Sequence, residues 1–240
     1  MRYLLEVFAI VNATVLLVAF VFLLRGPARK FWIVLIYIAS ELSANIGLAA
    51  ADFFLSGSVG ESAAINRARY SHLYWTSNLF LDLLRFLLVI LLIGRAASET
   101  SARRAMNRFL IIVVAAALIL PFVLFHPRFT PWPRGAWFNS TSELLNFGAA
   151  LMNLPLWATL IGSRLRDPQF LKVSAGLGVA VTGAALAYGL RHFIPPGGFR
   201  SVPDLFLMLS QLAGWLLWCS AFRMSIPERT LGTTPVASTG

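Results

Sequence analysis

YSHLYWTSNLFLDLLRFLLVILLIGR, residues 70–95, is long and apolar enough to cross a bilayer as one helix, yet it carries Asp82 and Arg85 near its middle. A charge at bilayer depth is costly unless it faces protein or water and finds a partner. At helical spacing Ser71, Tyr74, Asn78, Asp82 and Arg85 lie three or four residues apart and share one face. The opposite side is Leu, Phe, Val and Ile, suited to lipid or to packing. The segment therefore reads as a helix with a wet inner stripe, around which the other helices must gather.

The rest of the chain agrees with a lipid environment. Of 240 residues 58% are hydrophobic and only 12% charged, with a mean hydropathy of +0.74. Soluble domains carry about twice that share of charge. Six further apolar runs accompany the first, so the expected spans are 3–24, 31–55, 71–94, 109–125, 144–162, 170–190 and 205–222. The expected fold is all-α: a polytopic membrane protein formed as a single seven-helix transmembrane bundle over residues 1–224, followed by a short disordered cytoplasmic tail, 225–240. Pro121 is placed to kink the end of the fourth span and Pro155 to bend the fifth. No internal repeat supports an inverted-repeat transporter.

The net charge of +10 would point to nucleic acid in a soluble protein. Here the basic residues sit mostly between apolar runs, where they set topology and meet anionic headgroups. The first, third and fifth loops and the tail hold 12 Lys and Arg; the N-terminus and the other loops hold 7. That bias predicts the N-terminus outside and the C-terminus inside. The first span does not read as a convincing signal peptide, because its apolar run is long and its positive cluster, Arg25, Arg29 and Lys30, follows it. Arginine outnumbers lysine 18 to 2, as in a GC-rich genome, which fits a multi-pass protein of a bacterial plasma (inner) membrane. The stretch HPRFTPWPRGAWFNS, 126–140, reads as a loop whose Trp132 and Trp137 anchor at the headgroups. It runs into the sequon Asn139-Ser140-Thr141. The single cysteine, Cys219, excludes an internal disulfide.

Three constellations are candidates for function. The first is a mid-membrane polar core of Glu41, Asn45, Asn78, Asp82 and Arg85. Glu41, Asn45 and Asp52 share a face of the second span, and Glu41 lies ten residues, or roughly 15 Å, from the end of its span, the same depth as Arg85 in the third. Asn146 and Asn153 in the fifth span and Ser210 and Gln211 in the seventh add polarity. The second constellation is His72, His126 and His192, all at the ends of spans expected outside. With nearby carboxylates they are weak candidates for a metal site, since none has HxxxH or HxxH spacing. The third is Trp215 and Trp218, inside the seventh span rather than at an interface, in a packed core or beside a flat apolar ligand.

Known seven-span classes fail on particular residues. Retinal proteins need a lysine midway along the last helix, and LFLMLSQLAGWLLWCSAF has none; seven-span zinc hydrolases need paired histidines there; G-protein-coupled receptors carry an acidic-arginine-aromatic triplet where this chain reads LLIGRAAS. The absence of any complete catalytic motif leads to the expectation of a non-catalytic integral membrane protein that binds a partner subunit or a small apolar ligand such as a quinone, polyene or lipid. The alternative is a membrane enzyme or an ion or proton transporter that uses the Glu/Asp/Arg cluster and the histidines. Besides the lipid bilayer the partners are another membrane subunit or that ligand, and no nucleic acid. The sequence assigns no cofactor.

Overall fold

Apolar runs broken by Gly-Pro and charged connections leave the backbone one way to satisfy its polar groups away from water, which is to coil. A computed structural model of the chain describes residues 2–55, 61–97, 103–124, 134–162, 167–193 and 201–223. These contain seven helices: α1 (Arg2–Arg25), α2 (Trp32–Leu55), α3 (Glu61–Ala97), α4 (Arg103–Leu124), α5 (Arg134–Gly162), α6 (Pro168–Phe193) and α7 (Ser201–Arg223). Five of them, α1, α2, α4, α6 and α7, are long and apolar enough to cross a membrane. The outward faces carry rows of exposed Ile, Leu and Phe, for example Ile111, Ile112, Ile119 and Phe122 on α4. Contiguous apolar surface of that extent is an aggregation hazard in water and the natural exterior in lipid. The fold is that of a multi-pass membrane protein.

Two helices start ten residues ahead of the expected boundaries. α3 starts ten residues earlier than expected and has 37 residues, or roughly 55 Å at helical rise. α5 starts at Arg134, so Trp137 and the sequon Asn139–Thr141, expected in a loop, are helical. Trp137 packs on Phe122 of α4 at 5.7 Å between ring centroids. These two helices are the ones that fall short of membrane-spanning apolarity. α3 carries Arg67, Arg69, Asp82 and Arg85, and α5 carries Asn139, Asn146 and Asn153. Of these, Asp82, Arg85, Asn146 and Asn153 are buried, because α3 packs against α2, α4, α5 and α6, and α5 against α3, α4 and α6, whereas Arg67 and Arg69 are exposed. Pro121 and Pro155 lie inside α4 and α5 without ending either helix.

The contacts run α1–α2–α3–α5–α6–α7 and back to α1, a closed ring, with α4 outside it against α3 and α5. One end of the ring is tightly tied. Pro27 turns the chain, its carbonyl accepting from Lys30 and Phe31 N–H at 2.9 and 3.0 Å. Lys30 then pairs with Asp167 at 2.5 Å and donates to Gln169 at 3.3 Å, while Gln169 donates to the Ala221 carbonyl at 3.2 Å. Asp167 also caps α6, accepting from the Gln169 N–H at 3.1 Å, with Pro168 at the first helical position. Arg95 at the end of α3 donates to the Lys30 carbonyl. At the opposite end Arg191 of α6 pairs with Asp204 of α7 at 2.6 Å. α6 and α7 approach closely through glycine: a Cβ on Gly176 would lie 2.5 Å from Trp218 and 2.7 Å from the Gly214 carbonyl oxygen. Residues 225–240 lie outside the described residues.

Candidate functional site: a polar cavity floored by Arg85

Arg85 is 5% exposed and Asp82, one turn earlier on α3, is equally buried. The spacing of three puts the carboxylate on the guanidinium's side of the helix, and Nη1 donates to Asp82 Oδ1 at 3.2 Å. Nη1 also donates to Asn146 Oδ1 of α5 at 3.3 Å. The remaining donors turn to α2. Nε and Nη2 both donate to the Tyr37 hydroxyl, at 3.1 and 3.0 Å. That hydroxyl donates in turn to Glu41 Oε2 at 2.9 Å, one helical turn along α2. Glu41 is 3.9 Å from Nη2, so the direct ion pair is long and Tyr37 bridges it. Asn146 is fixed by its own donation to the Ser142 carbonyl at 2.8 Å. One acceptor in the network is left over: Asp82 Oδ2 is buried and has no hydrogen-bond partner.

The structure thus brings Glu41, Asp82 and Arg85 together. Asn45 and Asn78, the other two members of the expected polar core, are not bonded to Arg85. They line a cavity of about 700 Å³ whose floor is Glu41, Asp82 and Arg85. The cavity opens between α2, α3, α6 and α7, and its walls include Ser77, Tyr188 and Gln211. The Arg191–Asp204 pair stands at its other end, with Tyr74 and Trp75 beside it. Asp52, on the predicted face of α2, is exposed and does not line this space.

Beneath the floor the bundle is filled by aromatic rings. Tyr37 stacks on Trp215 and meets Trp218 edge-on, each at 6.0 Å. Trp218 continues to Phe222 at 6.4 Å, and Phe222 to Phe31 at 5.9 Å. All five are buried. The Trp218 indole N–H donates to the Val173 carbonyl at 2.9 Å, which settles its polar atom inside α6. Trp215 and Trp218 are therefore core that supports the Arg85 network from below. Tyr37 is the hub residue that the expected polar core left out, and Asn146, expected as added polarity from the fifth span, is bonded directly to Arg85. Tyr37 had a legible cue, because Tyr37, Glu41 and Asn45 recur every four residues on α2.

Of the three histidines only His72 has a described side chain. His72 is exposed on α3, within 3.3 Å of Thr76 Oγ1 and edge-on to Phe138 at 6.1 Å. His126 and the side chain of His192 lie outside the described residues, among which no group of three or more metal-ligating side chains occurs. Asn153 packs against Gly178 of α6, which has no side chain to obstruct it, and Ser210 donates to its own helix at Leu207. No protein-family model, curated protein or solved structure matches the chain.

Proposed function

We propose that the protein is a non-catalytic, seven-span membrane binding protein that takes a small hydrophilic molecule into the cavity above Arg85. In this reading α3 and α5 cross the bilayer with the other five helices, sheltered by the ring. The N-terminus and the Arg191 end face outward and the Lys30 end faces the cytoplasm, in line with the 12-to-7 distribution of Lys and Arg. The observation that carries the reading is the cavity itself. A space of about 700 Å³ lined by Glu41, Asn45, Ser77, Asn78, Asp82 and Gln211 is within the size range of small-molecule sites. Its polar walls favour a hydrophilic ligand over the quinone, polyene or lipid expected from Trp215 and Trp218.

A transporter that passes ions or protons through the same cluster is the competing reading. The hydrogen-bond chain Glu41–Tyr37–Arg85–Asp82 gives it a starting point. The aromatic column from Tyr37 to Phe31 and the ties around Lys30 argue against it, because they leave a dry, packed barrier between the floor and the Lys30 end. The deciding experiment is native mass spectrometry of protein released directly from membranes, on the parent and on Asn78→Trp, which fills the cavity. Binding predicts a small-molecule adduct on the parent that the variant loses. An adduct that persists in the filled variant, or proton flux in proteoliposomes that Asp82→Asn abolishes, overturns the proposal.

A further inference from the structure

We infer that the molecule the cavity accepts is a small organic cation, an amine or quaternary ammonium, whose charged group docks against the Glu41 and Asp82 carboxylates at the floor; this rests on the reading of the cavity as a binding site. The argument begins with the sign of the charge. The floor holds one cation, Arg85, and two carboxylates, Glu41 and Asp82, a formal charge of −1. The pair at the mouth, Arg191 and Asp204, sums to zero and is joined at 2.6 Å. A negatively charged cleft with low-dielectric walls concentrates cations.

Hydrogen-bond capacity points the same way. At the floor an anion would need donors from Arg85, because the Glu41 and Asp82 carboxylates supply none. Its guanidinium has five N–H groups in a fixed fork. Nε is committed to Tyr37, Nη1 to Asp82 and Asn146, and Nη2 to Tyr37, with Glu41 at 3.9 Å. The acceptors are in the opposite condition. Asp82 is 5% exposed, and its Oδ2 has no partner, although a buried carboxylate oxygen calls for a donor. Glu41 makes both of its contacts through Oε2. A protonated amine is donor-only and fits an acceptor-rich floor, while a quaternary ammonium, which has no N–H, is held there by charge alone. Tyr74 and Trp75, whose rings stand edge-to-face at 5.2 Å on the cavity wall, add faces for a cation that has shed its water.

Charge-selective thiol labelling tests both levels of the argument. In a Cys219→Ala background, Asn78→Cys and Ser77→Cys place a thiol on the cavity wall. Each is reacted in membranes with a trimethylammonium methanethiosulfonate and with a sulfonate methanethiosulfonate, and every rate is divided by that reagent's rate on a free thiol. The expected result is modification at both positions, with the cationic reagent favoured by about tenfold. Adding Asp82→Asn should remove most of that preference, and Glu41→Gln provides the same test should the Asp82 variant fail to accumulate. Protection of both thiols from both reagents would overturn the accessible cavity, and the cation inference with it. Modification at equal normalised rates would leave the cavity standing and overturn the cation inference. A preference for the sulfonate would assign the site to anions and to Arg85.

Discussion

Replacing Arg85 with leucine is the sharpest test of α3 as the organising helix. The substitution removes the donor of four hydrogen bonds, two to Tyr37 and one each to Asp82 and Asn146. It also leaves Asp82, 5% exposed, with no counter-charge. Charge-assisted bonds contribute about 1.5–3 kcal/mol each, but these share one guanidinium and do not add. The better guide is the cost of removing one partner from a buried ion pair, about 3–5 kcal/mol. We expect Arg85→Leu to lose that much in equilibrium unfolding, followed by helical circular dichroism as sodium dodecyl sulfate is titrated into mixed micelles. Replacing Glu41, Asp82 and Arg85 together with leucine, and Tyr37 with phenylalanine, removes the orphaned groups as well as the donor. That quadruple variant should be milder than Arg85→Leu, because an apolar replacement of a whole buried network leaves few groups unsatisfied. An Arg85→Leu protein within about 1 kcal/mol of the parent would refute the reasoning, since a charge so placed and so bonded cannot be energetically idle.

Other expectations concern the frame around the site. Gly176→Ala drives a methyl against Trp218 and the Gly214 carbonyl and should cost about 1–3 kcal/mol, whereas Gly47→Ala, with nothing within 4 Å of the new Cβ, should be neutral or slightly stabilising; equal thermal stabilities for the two would contradict the close α6–α7 approach. Partial burial of Asp167 opposes its ionisation, but the hydrogen bond and charge of Lys30 and the N–H groups of Gln169 and Phe170 outweigh it and hold the carboxyl below its ordinary value of 3.8. A depressed carboxyl contributes stability above its unfolded pKa and loses it as pH falls through the folded one, so the Lys30–Asp167 tie should weaken only below about pH 4. Its worth is under about 1 kcal/mol given the exposure of both side chains, and Asp167→Asn should flatten that part of an acid-unfolding curve. A reporter active only in the cytoplasm should be active when fused after Gly240, and activity of an export-dependent reporter there would reverse the assigned orientation.

Sequence alone determined the environment and the centre of this protein. Apolar runs of spanning length demand helices in lipid, because no other open structure satisfies the backbone there. A charge pair three residues apart in one such run must face inward, so the Asp82–Arg85 contact and the inner face of α3 were legible from residues 70–95 alone. The depth match that brought Glu41 toward Arg85 was legible for the same reason: rise per residue is fixed by the helix. Periodicity says which residues share a face, however, and not how one helix is rotated or tilted against its neighbours. Only the packed bundle decided that Tyr37, rather than Asn45 or Asn78, bridges Arg85 to Glu41, and that Asn146 supplies the amide. It also decided that Asn45 and Asn78 are walls of a cavity and that Trp215 and Trp218 are the filled core beneath it. The early starts of α3 and α5 belong to the same class, since a helix end in polar sequence is set by what it packs against, as Trp137 packs on Phe122. The unpartnered Asp82 Oδ2 is a property of three dimensions alone: whether an acceptor is satisfied depends on which neighbours arrive from other helices.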